Sequence, residues 1–142
     1  MSTLSAAIKA SGSALNAERT RIEVAVSNLA NSESTRSADG QPYRRRDVLL
    51  APDTVNNFDN MLGAASATGV KVAAVVEDTA PFRKRYEPSH PDADAEGFVS
   101  LPNVDAPMEM VDLLGAARAY QANLAAINVI RDMVTKALEL GR

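Results

Sequence analysis

The sequence predicts a mainly α fold with a small β insert: long N- and C-terminal helices pairing as a coiled coil, and a β-rich middle segment between them. Three features of the pattern predict this. Over the last third, steps of four and three residues pick out apolar positions, the signature of one helix face. The same spacing returns over the first thirty residues. Between the two, the period changes to alternation, broken by Gly, Pro and Asn.

The C-terminal stripe runs Leu113, Ala117, Tyr120, Leu124, Ile127, Arg131, Val134, Leu138, with only Arg131 polar. Ala116, Ile130 and Ala137 widen it, and Gly115 is its one glycine. At about 1.5 Å per residue such a helix is roughly 50 Å long, so it needs a long partner. The N-terminal stripe runs Leu4, Ile8, Ser11, Leu15, Glu18, Ile22, Ala25, Leu29, and Val26 reinforces it. Ser11 and Glu18 interrupt this stripe, and Gly12 permits a close backbone approach. The helix should stop near Asn31, a residue that tolerates the left-handed conformation of a helix end.

In the middle, 32–40 is a polar loop in which Asp39-Gly40 reads as a turn. Residues 43–50 start basic at Arg44, Arg45 and Arg46 and end apolar at Val48, Leu49 and Leu50. Residues 54–68 read as a mobile loop with one helical turn. Gly69 opens the best strand, with Val70, Val72, Ala74 and Val76 on one side, and 82–86 is expected to pair with it as a hairpin arm. Pro88, Pro91, Asp92 and Asp94 make a rigid acidic loop, and 97–101 is a last short strand. The units are therefore 1–31, 32–107 and 108–142, with the first and last forming one discontinuous helical domain.

The 142 residues carry a net charge of −3, which gives no electrostatic case for nucleic acid or an anionic membrane. The absence of cysteine excludes disulfides and thiolate metal sites. No apolar run is long enough to span a bilayer, and the first residues lack the basic start and apolar block of a cleaved secretory signal. Ala, Val and Leu replace aromatics as the packing material. Burying the two stripes against each other hardly offsets the entropy of ordering two long helices. The termini are therefore expected to fold fully only when other copies or other chains cover them.

Candidate chemistry is thin. His90 with Asp92 and Asp94 falls short of a hydrolytic metal site, and carboxylates in a Pro-bounded loop more often shape a turn. Alternating strand geometry splits Arg44, Arg45 and Arg46 between two faces, which suits a salt-bridging patch better than phosphate. Arg83-Lys84-Arg85 among Glu77, Asp78, Glu87, Asp92 and Asp94 fits either subunit contacts or a solvated surface. No nucleophile–base pair or phosphate loop is evident, so no catalytic, cofactor-binding or metal residue is assigned. Asn16, Asn28, Asn31, Gln121, Asn123 and Asn128 are amides of the kind that fix register at helix–helix seams. The residues themselves say interaction protein, and a soluble helical-hairpin adapter or secretion chaperone is the competing class.

Several blocks have a known look. Ser27-Asn28-Leu29-Ala30-Asn31 resembles the signature of the bacterial flagellar rod and hook family. Glu87-Pro88-Ser89-His90-Pro91-Asp92-Ala93-Asp94, then Gly97, Val99, Pro102-Asn103-Val104 and Glu109-Met110-Val111-Asp112, resemble its proximal-rod members more narrowly. Arg118-Ala119-Tyr120-Gln121-Ala122-Asn123 and Gly40-Gln41-Pro42-Tyr43-Arg44-Arg45 also fit. The resemblance implies a structural subunit of the periplasmic rod of the basal body, with no cofactor. Its implied partners are other flagellar rod proteins, copies of itself and the flagellar type III export apparatus, without nucleic acid or direct membrane insertion. Early rod and hook subunits often carry a Phe followed four residues later by an apolar residue near the N-terminus. Here those positions are Leu4 and Ile8. The expected subunit-interface residues are Leu4, Ile8, Leu15, Ile22, Asn28, Leu29 and Asn31 on the first helix. On the last they are Leu113, Tyr120, Gln121, Asn123, Leu124, Ile127, Val134 and Leu138.

Overall fold

The computed structural model describes residues 2–37, 40–53 and 69–140, with the backbone alone at residues 2 and 3. These residues form α1 (Ser2–Ala30), β1 (Arg46–Asp53), β2 (Gly69–Glu77), β3 (Arg83–Tyr86), β4 (Phe98–Leu101) and α2 (Ala106–Leu140). β1 pairs antiparallel with β2, and β3 with β4, as two separate two-stranded sheets. The loop expected at 54–68 lies outside the described residues.

The helix ends have local causes. Among the described residues only glycines take positive φ, so Asn31 does not end α1 in the left-handed form. Side chains cap it instead: Asn31 Nδ2 donates to the Ser27 carbonyl and Ser32 Oγ to the Leu29 carbonyl, both at 2.8 Å. α2 starts at Ala106, two residues before the expected 108. Asp105 precedes it, and its side chain accepts from Met108 N–H at 3.4 Å. Pro107 falls in the first turn, where a missing N–H costs little.

The helices pack against each other antiparallel, the end of α1 meeting the start of α2. The expected coiled coil is not found. The covered positions of α2 include Glu109, Leu113, Ala116, Ala117, Tyr120, Asn123, Ile127 and Ile130, and only Glu109 and Ala116 are fully buried. Leu124, Val134 and Leu138, placed by periodicity in the seam, are exposed, Leu138 at 71%. On α1 the buried residues are small, Ala17 and Ala25, together with Asn28. Two causes are visible. α1 divides its surface between α2 and the β1–β2 ribbon, so it offers no free heptad stripe. Contact through Ala also brings backbones close without the interlocking large side chains of a coiled coil.

The strand pairing also departs from expectation. β2 takes β1 as its partner, matching Val48 with Val75, Leu49 with Ala74 and Leu50 with Val72. The basic strand β3 pairs with β4, Arg83 opposite Leu101 and Tyr86 opposite Phe98. The apolar end of β1 is the better cross-strand match for a Val-rich strand. Ala73 has no partner, a bulge that resets the alternation. Val70, Val72 and Val75 therefore share one face, and Ala74 and Val76 the other. The remaining core is Val99, Leu101, Pro102 and Val104, at and after β4. Gly97 makes that turn possible: its φ is 83°, and an added Cβ would stand 2.9 Å from the Tyr86 ring.

Candidate assembly interface

At the base of the helix pair lies a buried polar junction. Asn28 is 1% exposed and Glu109 is 2% exposed. Asn28 uses its full hydrogen-bonding capacity. Nδ2 donates to the Arg46 carbonyl at 2.8 Å and to Glu109 Oε2 at 2.9 Å. Oδ1 accepts from Arg46 N–H and from the Tyr43 hydroxyl, each at 2.9 Å. Glu109 also accepts from Arg45 Nε at 2.6 Å, and its place in the first turn of α2 sets its charge at the positive end of the helix dipole. The Arg45 amide is held in turn by Asn103 Oδ1 at 2.9 Å.

Arg45 is charged under opposing influences. Burial disfavours its charge, but the hydrogen bond and charge of Glu109, with weaker attraction from Asp47 and Asp112, outweigh it and raise its pKa above the ordinary arginine value. A raised folded pKa means that this stabilisation is complete below the unfolded value and is lost only as pH rises through the folded one. Arg45 therefore stays charged throughout the neutral range. The cleft beside it is small, about 30 Å³, and lined mainly by charged and polar groups, together with Val24, Ala25 and Val48.

The opposite end of the helix pair is different. Leu4 and Ile8 of α1 face Met133, Val134, Ala137 and Leu138 of α2 across an open groove of about 640 Å³. Along α2, further apolar side chains are exposed outside this groove: Met108, Val111 (65% exposed), Leu114 and Val129. A helix apolar on more than one face is one that packs on more than one side.

The fifteen residues expected at an interface fall into three groups. Asn28 is internal. Leu4, Leu15, Ile22, Leu29, Asn31, Leu113, Tyr120, Asn123 and Ile127 are half-buried, and Asn123 Nδ2 bonds the Ala119 carbonyl of its own helix. Ile8, Gln121, Leu124, Val134 and Leu138 are exposed. The partners of Asn28, namely Tyr43, Arg46 and Glu109, and Arg45, which holds Glu109, lie outside that set. Glu109 on the inward side of the first helical turn was the available signal.

Several other charged groups are used within the chain. Arg44 lies 4.4 Å over the Phe82 ring, and Arg46 lies over Tyr43 and near Glu77. Asp92 accepts from Thr35 Oγ1 at 2.8 Å and pairs with Arg36 at 3.1 Å, while its amide donates to His90 Nδ1. Asp94 Oδ1 accepts the Glu96 and Phe98 amides, which shapes the turn into β4. Arg85 pairs with Glu33 and Glu87 at the surface.

Comparison with known proteins agrees with this picture of packing without chemistry. The family model described as flagellar basal body rod FlgEFG protein C-terminal matches residues 95–140, a span that includes β4 and α2. The flagellar basal-body rod protein FlgC of Salmonella typhimurium (strain LT2) is 47% identical over 131 residues, covering 92% of each chain. FlgC of Escherichia coli O157:H7 is 46% identical over the same share. FlgC of Bacillus subtilis (strain 168) is 44% identical over 144 residues, covering 95% of this chain and 96% of the relative. The class is that of flagellar basal-body rod proteins. Within it, the chain belongs to the FlgC family. It is a structural rod subunit of the flagellar basal body, not an enzyme.

Proposed function

We propose that this subunit takes a proximal place in the rod and joins copies of itself and other rod proteins through the exposed apolar faces of α2 and the open helix ends. The observation that carries this is the asymmetry of burial. Glu109 and Ala116 mark the only fully covered side of α2 among the described residues, while Val111, Leu114, Val129, Met133 and Leu138 stay open. Two different open surfaces on one elongated subunit suit heterologous contacts, which propagate as a helical tube instead of closing. The paired helices line the tube, the sheets stiffen its wall, and torque passes through packed side chains. The subunit reaches the periplasm through the flagellum's own type III export apparatus.

The test is electron microscopy of basal bodies isolated from a strain that carries Leu124→Asp at the native locus, beside a strain lacking the gene. Leu124 is exposed, so the variant folds, but its charge would be buried at the interface. Basal bodies without rod, hook or filament in both strains support the proposal. Normal rods in the variant would remove Leu124 and its face from the interface.

A further inference from the structure

The β1–β2 ribbon has too few strands to stand alone in water, and side chains of α1 hold it at both ends. At one end Asn28 donates to the Arg46 carbonyl and accepts its N–H, the two bonds a neighbouring strand would make. At the other end Ser13 Oγ accepts the Val70 N–H at 3.0 Å. The same hydroxyl donates to the Ala10 carbonyl of its own helix at 2.8 Å, which aims a lone pair outward at the ribbon. The spans agree. Fifteen residues of helix separate Ser13 from Asn28, about 22 Å. Six residues of strand separate Arg46 from Pro52, the residue opposite Val70, about 20 Å. A slip of one residue would undo both contacts and turn every ribbon side chain to the other face. Gly69 permits the approach, because a Cβ there would meet Ser13 Oγ at 2.7 Å and Ser13 Cβ at 3.3 Å.

We propose that Ser13 is a positioning residue which, together with Asn28, sets the register of the β1–β2 ribbon on α1, and that Gly69 is the small residue this contact requires. The contact belongs to the free chain and stands whether or not the rod interface lies where proposed above. Amide hydrogen exchange followed by NMR on the full chain tests it. Ser13→Ala is expected to speed exchange at Val70 at least tenfold while leaving the β3–β4 amides unchanged, and Ser13→Thr, which keeps a hydroxyl, to restore protection. Unchanged exchange at Val70, or a rise shared equally by all amides, would overturn the proposal. A second measurement uses the clash. Gly69→Ala is expected to lower the thermal midpoint, and adding Ser13→Ala to it to recover part of the loss. Simply additive losses would contradict the assigned contact.

Discussion

At the base of the helix pair, Asn28, Arg45 and Glu109 exchange hydrogen bonds beside a cleft of about 30 Å³, whereas at the far end Leu4, Ile8, Val134 and Leu138 border an open groove of about 640 Å³. The polar end is closed and the apolar end is open, the reverse of an ordinary monomer. A buried ion pair tolerates no gap, because an unpaired charge out of water is costly. It therefore specifies one geometry in the free chain. Apolar side chains left in water have no such demand for geometry, and they gain by meeting a neighbour. The subunit is thus finished where it must have one shape, and the end left open is the one proposed above to meet other chains.

The comparison can be broken most severely at the base. Glu109→Ala strips Arg45 and Asn28 of their shared acceptor and should cost about 3 kcal/mol in denaturant unfolding, the usual scale for one half of a buried pair. A loss under about 1 kcal/mol would mean that water replaces the carboxylate and the junction is not closed. Asn28→Ala should cost about 2 kcal/mol by the same measurement, since Arg46 N–H and Glu109 each lose a partner in a dry site. Gly97→Ala sharpens the contrast away from the helices. It forces a Cβ into positive φ and against Tyr86 and Pro88, and should lower stability by about 1–3 kcal/mol. At the open end, Leu138→Asp should change the free chain by less than about 0.5 kcal/mol yet abolish incorporation into rods, scored by immunoblot of purified basal bodies. Smallest of all, Arg85→Ala removes two solvent-exposed ion pairs and should leave the thermal midpoint unchanged within error.

Much of this was legible in the sequence, and the losses have physical reasons. Helical periodicity found both helices, because a long amphipathic stripe is a local signal. The same periodicity placed Leu113, Tyr120 and Ile127 on the inward side, but it put Leu124, Val134 and Leu138 there as well. Leu124 and Leu138 mark an apolar face, but no residue pattern says whether a face meets its own chain or another. The fully buried apolar positions of the helices are Ala17, Ala25 and Ala116; Ala25 and Ala116 belong to the stripes legible in the sequence, whereas Ala17 lies off them, and all three owe their place to close packing of small side chains. Strand partners were lost for a different reason. Pairing of β1 with β2 is decided across residues 54–68, and the phase change at Ala73 has no signature in composition. In the junction, Asn28 stood out within Ser27-Asn28-Leu29-Ala30-Asn31, while Arg45 was hidden between two other arginines. Only the fold tells Arg45, paired with Glu109, from Arg44 on Phe82 and Arg46 on Tyr43.

The central claim is that the base of the helix pair is complete in the free chain and the far end is completed by neighbours. Residue-resolved hydrogen exchange, compared between the free subunit and isolated rods, tests it most directly. The amides of 17–29 and 109–120 should be protected in both states. Those of 4–8 and 133–138 should exchange at least a hundredfold faster in the free chain and become protected in the rod. Equal protection of both ends in the free subunit would contradict the claim, and so would far ends that remain unprotected after assembly.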